Sequence, residues 1–185
     1  MNKLTMRLDI YENREFKRGA SRIKEILWLF CSGLLITSWL PGTAWRIMLL
    51  RQFGALIGKG VVIKPKFRVT FPWRMVVGDY CWIGEGVWFD NLSEIRLGGH
   101  VCISQGAYLC TGSHDWGKQS FDLIVKPIKV ESHSWIAAMS KVGPGVTVGE
   151  GAVLTFGSVA TQTLTPWSVY GGNPAVEIKK RLISN

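Results

Sequence analysis

Aliphatic positions recur every six residues through the C-terminal part of the chain: Val130, Ile136, Val142, Val148, Leu154 and Ala160. Six is neither the helical period nor simple strand alternation. Four residues after each of the first five stand Ser134, Ser140, Val146, Ala152 and Ser158, all small or β-branched. Each hexad therefore offers one large inward side chain and one small one, with turn formers such as those of Val142-Gly-Pro-Gly-Val146 between them. The pattern predicts short strands of alternating in–out residues, each followed by a tight turn. Three such strands close a triangular coil of about 18 residues, and stacked coils pair their backbones at about 4.8 Å.

The same register extends upstream. Ile57, Ile63 and Val69 make a first coil, Val77, Ile83 and Phe89 a second, Leu97, Ile103 and Leu109 a third. Val130 to Val142 and Val148 to Ala160 complete about five. This is the hexapeptide pattern of a parallel β-helix. It predicts an all-β main domain over 55–165, preceded by a helical, apolar segment (1–54) and followed by a tail with a short C-terminal helix (166–185). Spacing alone does not set the handedness of the coil.

The interruptions are as informative as the repeats. Val69 to Val77 and Phe89 to Leu97 are each eight residues apart, and Leu109 to Val130 are 21 apart. All three surplus segments leave the third strand of their coil, so they emerge along one edge of the prism. Loops on a rigid scaffold are where sites are built. The lower two hold Trp73, Asp90 and Asn91; the long one, 111–127, holds His114, Asp115 and Trp116. Asn91 and His114, on adjacent coils, are expected to be neighbours.

The stretch Ile26 to Trp45 carries no charge and approaches the length of a bilayer span. Gly33, Pro41 and Gly42 interrupt it, and Pro41 should divide it into two pieces. The breaks favour helices lying in a membrane interface, or a cap packed on the main domain, over a span. Trp28, Trp39 and Trp45 with basic flanks suit the interface arrangement.

Composition narrows the class. Hydrophobic residues are 47% and charged residues 19% of 185, a globular balance. The net charge of +9 suggests an anionic partner. The basic residues are scattered singly and no nucleic-acid motif is present, so a nucleic-acid partner is not expected. Met1 to Lys24 is polar and charged, so no secretory signal is expected. The four cysteines form no C-x-x-C and no pattern with histidine. That argues against a metal site and for reduced thiols in the cytoplasm.

Of three histidines, His100 and His133 each fall three places after an inward aliphatic and should be exposed turn residues. His114, in the insertion beside Asp115, suits a general base. A nucleophile elbow, a P-loop and a dinucleotide fingerprint are absent.

The run Val142 to Lys180, with Gly172-Asn173-Pro174-Ala175, resembles the last coils and tail of the hexapeptide-repeat acyltransferases, a left-handed β-helix family. Together with the Cys110-Thr-Gly-Ser-His-Asp-Trp116 loop and Trp45 to Gly58, it resembles the colanic-acid and exopolysaccharide O-acetyltransferase branch. The resemblance implies a homotrimer transferring an acetyl group from acetyl-CoA to a sugar hydroxyl. It implies His114 as catalytic base, with Asp115 or a backbone carbonyl fixing its tautomer. Asn91 matches an asparagine that touches the acceptor, with Asp90 as its near alternative, and Trp73 and Trp116 are further substrate-binding candidates. Ala138, Phe156 and Thr161 match positions along the pantetheine arm, and Lys179 one near the nucleotide. Trp135-Ile-Ala-Ala138 and Thr155-Phe-Gly-Ser158 depart from the family pattern, Phe156 by its bulk. The apolar segment and the positive charge favour a lipid-linked glycan acceptor at the inner face of the cytoplasmic membrane, with peripheral membrane contact, over a soluble small sugar or antibiotic. A non-catalytic β-helix scaffold is the alternative of another class, and His114 in its loop argues against it.

Overall fold

The computed structural model describes residues 5–13 and 16–184; positions 1–4, 14–15 and 185, parts of the expected terminal segments, lie outside the described residues. The hexads form three parallel faces. The first stacks Leu56–Ile57, Met75–Val77, Ile95–Leu97, Ile128–Val130 and Thr147–Val148. The second stacks Val62–Ile63, Trp82–Ile83, Cys102–Ile103, Trp135–Ile136 and Val153–Leu154. The third stacks Arg68–Val69, Trp88–Asp90, Tyr108–Cys110, Lys141–Val142 and Val159–Ala160. Ile63, Ile83, Ile103, Ile136 and Leu154 lie in direct register, so the aliphatic of each hexad sits on that of the coil below. All five are buried. Burial of this continuous column, rather than any single rung, is what makes such short strands stable.

Leu164 bridges Val148, and Ser168–Gly172 pairs with Val153–Leu154, so the solenoid runs to about six turns. At the corner between the first and second faces the turn residue has positive φ: Gly60, Tyr80, His100, His133 and Gly151. His100 and His133 are exposed there and stack on one another at 5.3 Å, with Tyr80 stacked on His100 at 5.1 Å. A Cβ on Gly60 would fall 2.4 Å from the Tyr80 ring, so the coil below Tyr80 needs glycine.

The expected C-terminal helix is instead a strand. Ala175–Lys180 returns antiparallel on Ser168–Gly172, at the edge of the second face. The open edge left by the last coil presents unpaired backbone groups, and Ala-Val-Glu-Ile alternates well enough to take them.

The apolar N-terminal stretch forms two pieces separated by Pro41, as its breaks predict. Helix α1 (Arg22–Cys31) is capped by Ser21, whose side chain accepts from the Lys24 amide. It runs into a π-helical turn, Ser32–Ile36, and helix α2 follows at Ala44–Gln52. Trp28 turns inward, donating its indole N–H to the Thr70 carbonyl at 3.0 Å, and Ile36 and Leu50 are fully buried beside the first coil. The Arg46 guanidinium is also buried. It donates to the carbonyls of Ser38, Leu40 and Gly42 and ties the Pro41 turn to α2. Burial lowers its pKa from the ordinary arginine value. The segment is therefore a cap on the core. No helix among the described residues is long and apolar enough to cross a membrane.

Candidate active site

The three surplus segments do emerge one above another, at the corner after the third face. Thr111 takes its amide hydrogen bond to the Asp90 carbonyl at 3.0 Å, and its hydroxyl accepts from Ser93 N at 2.9 Å. Thr111 thus joins the second and third loops. Beyond it the long insertion folds as an antiparallel hairpin, Gly112–His114 with Leu123–Val125.

His114 closes this hairpin. Its Nδ1 lies 2.9 Å from the Phe121 carbonyl. A carbonyl only accepts, so Nδ1 carries the proton and Nε2 keeps its lone pair. The Phe121 ring stacks on the imidazole at 4.2 Å with planes 5° apart. Phe121 holds φ of 52°, a left-handed conformation that costs a bulky residue about 1–3 kcal/mol. That backbone turn sends its carbonyl and its ring to the same imidazole. Tyr11 from the N-terminal segment meets His114 at 5.7 Å, and the Arg7 amide donates to the Gln119 carbonyl at 2.8 Å. The half-buried imidazole is therefore braced by two segments remote in sequence.

Of the two tautomer-fixing partners expected, the backbone carbonyl is the one found. Asp115 bends away: its carboxylate accepts from Gly117 N at 3.0 Å, and its own amide donates to the Asp122 carbonyl. Asn91 is a correction. It is 0% exposed, and its side-chain oxygen accepts from Phe71 N at 2.8 Å while its amide donates to the carbonyls of Phe71 and Arg74. Every polar group of that side chain is engaged with the loop of the first coil, so none is left for an acceptor. Asp90 is half-buried and receives Thr70 Oγ1 at 3.1 Å and the Tyr108 hydroxyl at 2.9 Å. Burial, then hydrogen bonds with Cys110 and Asp90, drive the Tyr108 phenol well above its ordinary pKa, so it stays a donor. Trp73 is half-covered by the N-terminal segment, donating to the Arg18 carbonyl at 2.8 Å and stacking on Phe71. Trp116, 87% exposed at the tip of the insertion, remains open to a ligand.

The donor-side candidates do not converge within one copy. Ala138 and Phe156 share the corner between the second and third faces, where Gly157 N donates to the Ala138 carbonyl at 3.0 Å. Phe156 is 73% exposed there, and a Cβ on Gly157 would meet nothing within 4 Å. The turn past Ala138 is therefore open to solvent on its outer side. Thr161 lies on the His114 corner instead, and Lys179 lies opposite Val169 on the C-terminal hairpin. His114 and the Ala138–Phe156 corner stand at opposite edges of the third face.

Sequence reasoning missed Phe121, Tyr11 and Arg74. The Arg74 guanidinium donates to the Lys17 carbonyl and lies over the rings of Phe16 and Phe71. Burial lowers its pKa from the ordinary value. With Asn13, Ser93, Asp115 and Lys118 it lines a cavity of ≈ 1070 Å³ between the N-terminal segment and the insertion. An aromatic in the polar run Gly117 to Asp122 was the one available signal for Phe121.

The site is thus an imidazole with a fixed tautomer, carried on a loop that projects from a hexapeptide solenoid. No family model matches the chain. Over 167 residues it is 44% identical to WcaF of Escherichia coli K12, named as a colanic acid biosynthesis acetyltransferase, covering 89% of this chain and 91% of that one. The hexapeptide-repeat acetyltransferase VCA0836 of Vibrio cholerae, solved in complex with acetyl-CoA, superposes with TM-score 0.78 at 28% identity, over 89% of this chain and 92% of that one. A maltose O-acetyltransferase of Clostridium difficile shares the fold with TM-score 0.73 at 24% identity, over 88% of this chain and 90% of that one. The chain belongs to the hexapeptide-repeat acetyltransferases, a left-handed β-helix family, and within it to the group of WcaF.

Proposed function

We propose that the protein transfers an acetyl group from acetyl-CoA to a sugar hydroxyl in surface-glycan biosynthesis, with His114 as general base. The observation that carries this is the Nδ1 hydrogen bond to Phe121, which leaves Nε2 as a fixed proton acceptor at the loop edge. Bound acetyl-CoA supplies an electrophilic thioester carbonyl. His114 Nε2 takes the proton from the acceptor hydroxyl as that oxygen attacks, holds it as imidazolium, and returns it to the departing sulfur. Phe121 keeps the ring from rotating, so the lone pair stays aimed without reorganisation. Orientation of both substrates supplies much of the rate.

We place the pantetheine arm along the Ala138–Gly157 corner, beside the exposed Phe156 ring, with Thr161 and Lys179 as outlying contacts. Because these corners are separated from His114 by the width of a face, the acting unit is a homotrimer in which one copy brings His114 to the Ala138–Phe156 corner of the next. Trp116 and the rim of the cavity beside Arg74 receive the glycan, with Asp90 and Trp73 behind them as supports. The acceptor is carried at the inner face of the cytoplasmic membrane.

The test is release of free thiol from acetyl-CoA with a panel of sugars, coupled to mass analysis of glycan from cells with and without the gene. Acetylated sugar or an acetyl increment that depends on the protein supports the assignment. Absence of thiol release with every acceptor, in a folded trimer, overturns it.

A further inference from the structure

Helix α1 is inside out. A surface helix normally turns its apolar stripe to the core and its polar face to water. Here Lys24, Trp28 and Cys31 face inward, while Ile23, Ile26, Leu27, Phe30 and Leu34 form a stripe that is exposed along its whole length. Trp39, 74% exposed in the turn that follows, extends it. Contiguous apolar surface of this kind marks an interaction site.

The charge around the stripe says what covers it. Between positions 16 and 70, the cap and first coil, stand ten basic residues and one acidic one, Glu25. Beyond position 70 there are nine of each, and before position 16 three of each. The whole net charge of +9 therefore belongs to the capped end of the prism. Glu25 is itself paired with Arg18 at 3.0 Å. Arg22, Arg51, Lys59 and Lys64 are exposed on these same elements. An apolar stripe with a cationic rim and an exposed indole matches the acyl boundary and anionic headgroups of a lipid surface.

We propose that the capped end of the prism docks on an anionic membrane, with the Ile23–Leu34 stripe and Trp39 in the interface. His114 follows the third coil, two rungs above the first. Two rungs at about 4.8 Å each and one helix layer of about 10 Å hold it about 20 Å above the lipid. That height suits a sugar of a lipid-linked glycan. The docking stands independently; the lipid-linked acceptor rests on the proposed acetyl transfer.

The experiment is flotation of the full chain with vesicles of phosphatidylcholine, with and without phosphatidylglycerol. Binding should require phosphatidylglycerol, weaken with salt, and fall at least about tenfold in the Leu27→Glu/Phe30→Glu variant. Both side chains are exposed, so elution volume and circular dichroism should not change. Brominated lipid should quench wild type more than Trp39→Phe. Failure of wild type to float, or equal flotation of the glutamate variant, overturns the proposal. So does a variant that changes oligomeric state, because a second copy would then own the stripe, or preferential binding to DNA over vesicles. Acetyl transfer to a soluble sugar separates the two ideas. The glutamate variant should keep it, and a wild type that floats but transfers nothing sinks the activity and leaves the docking standing.

Discussion

The Phe121 carbonyl and the Phe121 ring act on the same imidazole, one 2.9 Å from His114 Nδ1 and the other stacked at 4.2 Å. A single residue in a left-handed conformation fixes both the protonation site and the ring plane of His114. This makes the loop a positioning device whose parts can be removed separately.

His114→Ala should fold as wild type, with an unchanged melting temperature, and lose turnover by about 10²–10⁴-fold. Thiol release from acetyl-CoA with a sugar acceptor measures it. Unaltered turnover would remove His114 from the reaction.

Phe121→Ala should lower kcat about tenfold while leaving KM for acetyl-CoA in place. It keeps the carbonyl but loses the stacked ring, so the imidazole spends less time in the productive orientation. Phe121→Gly removes the backbone strain as well. It should be the more stable of the two in thermal unfolding without recovering kcat. Equal kcat in all three proteins would show that the ring does not orient the base.

Asn91→Ala should act on stability rather than on acceptor binding. It strands the amide and carbonyl of Phe71 and the carbonyl of Arg74 in a buried site, a loss of about 2–4 kcal/mol. On a domain of this size that lowers Tm by about 5–15 °C. KM for the sugar, measured well below the transition, should stay near wild type. A raised KM with an unchanged Tm would restore Asn91 as a contact.

Cys81 should resist alkylation in the native protein. Its thiol donates to the Gly98 carbonyl at 3.0 Å, and burial raises its pKa, outweighing an opposing hydrogen bond from the Val101 backbone. The neutral form is the one the fold favours. Its contribution to stability is therefore complete below the ordinary thiol range and declines as pH rises through and above it. Mass mapping after iodoacetamide at mildly alkaline pH should find Cys81 unmodified until denaturant is added.

Much of the fold was legible because a solenoid is nearly one-dimensional. Val130, Ile136 and Val142 each contact their counterparts one coil away, so a period in sequence is a period in space. The edge carrying the loops followed from the same arithmetic, since a surplus after Val69, Phe89 and Leu109 can leave only one corner. The tail was misjudged because Ala175–Lys180 takes its conformation from an edge built by residues elsewhere, and no local pattern announces that edge. Asn91 was misjudged for a related reason. Its place on the ridge was right, but whether its amide faces a ligand or the Phe71 backbone depends on how that loop turns at Pro72.

The rung spacing, the inward column from Ile57 to Ala160, the split of the apolar run at Pro41, and His114 as the one histidine outside the coils are all written in the order of residues along the chain. These are properties of near neighbours along the chain, set by periodicity and by proline and glycine geometry. Which atom holds His114, the contact of Tyr11 with it, and the outward turn of the aliphatic side of α1 emerge only from long-range packing. Each of those joins residues far apart in the chain, and the direction of a side chain is settled by what it packs on.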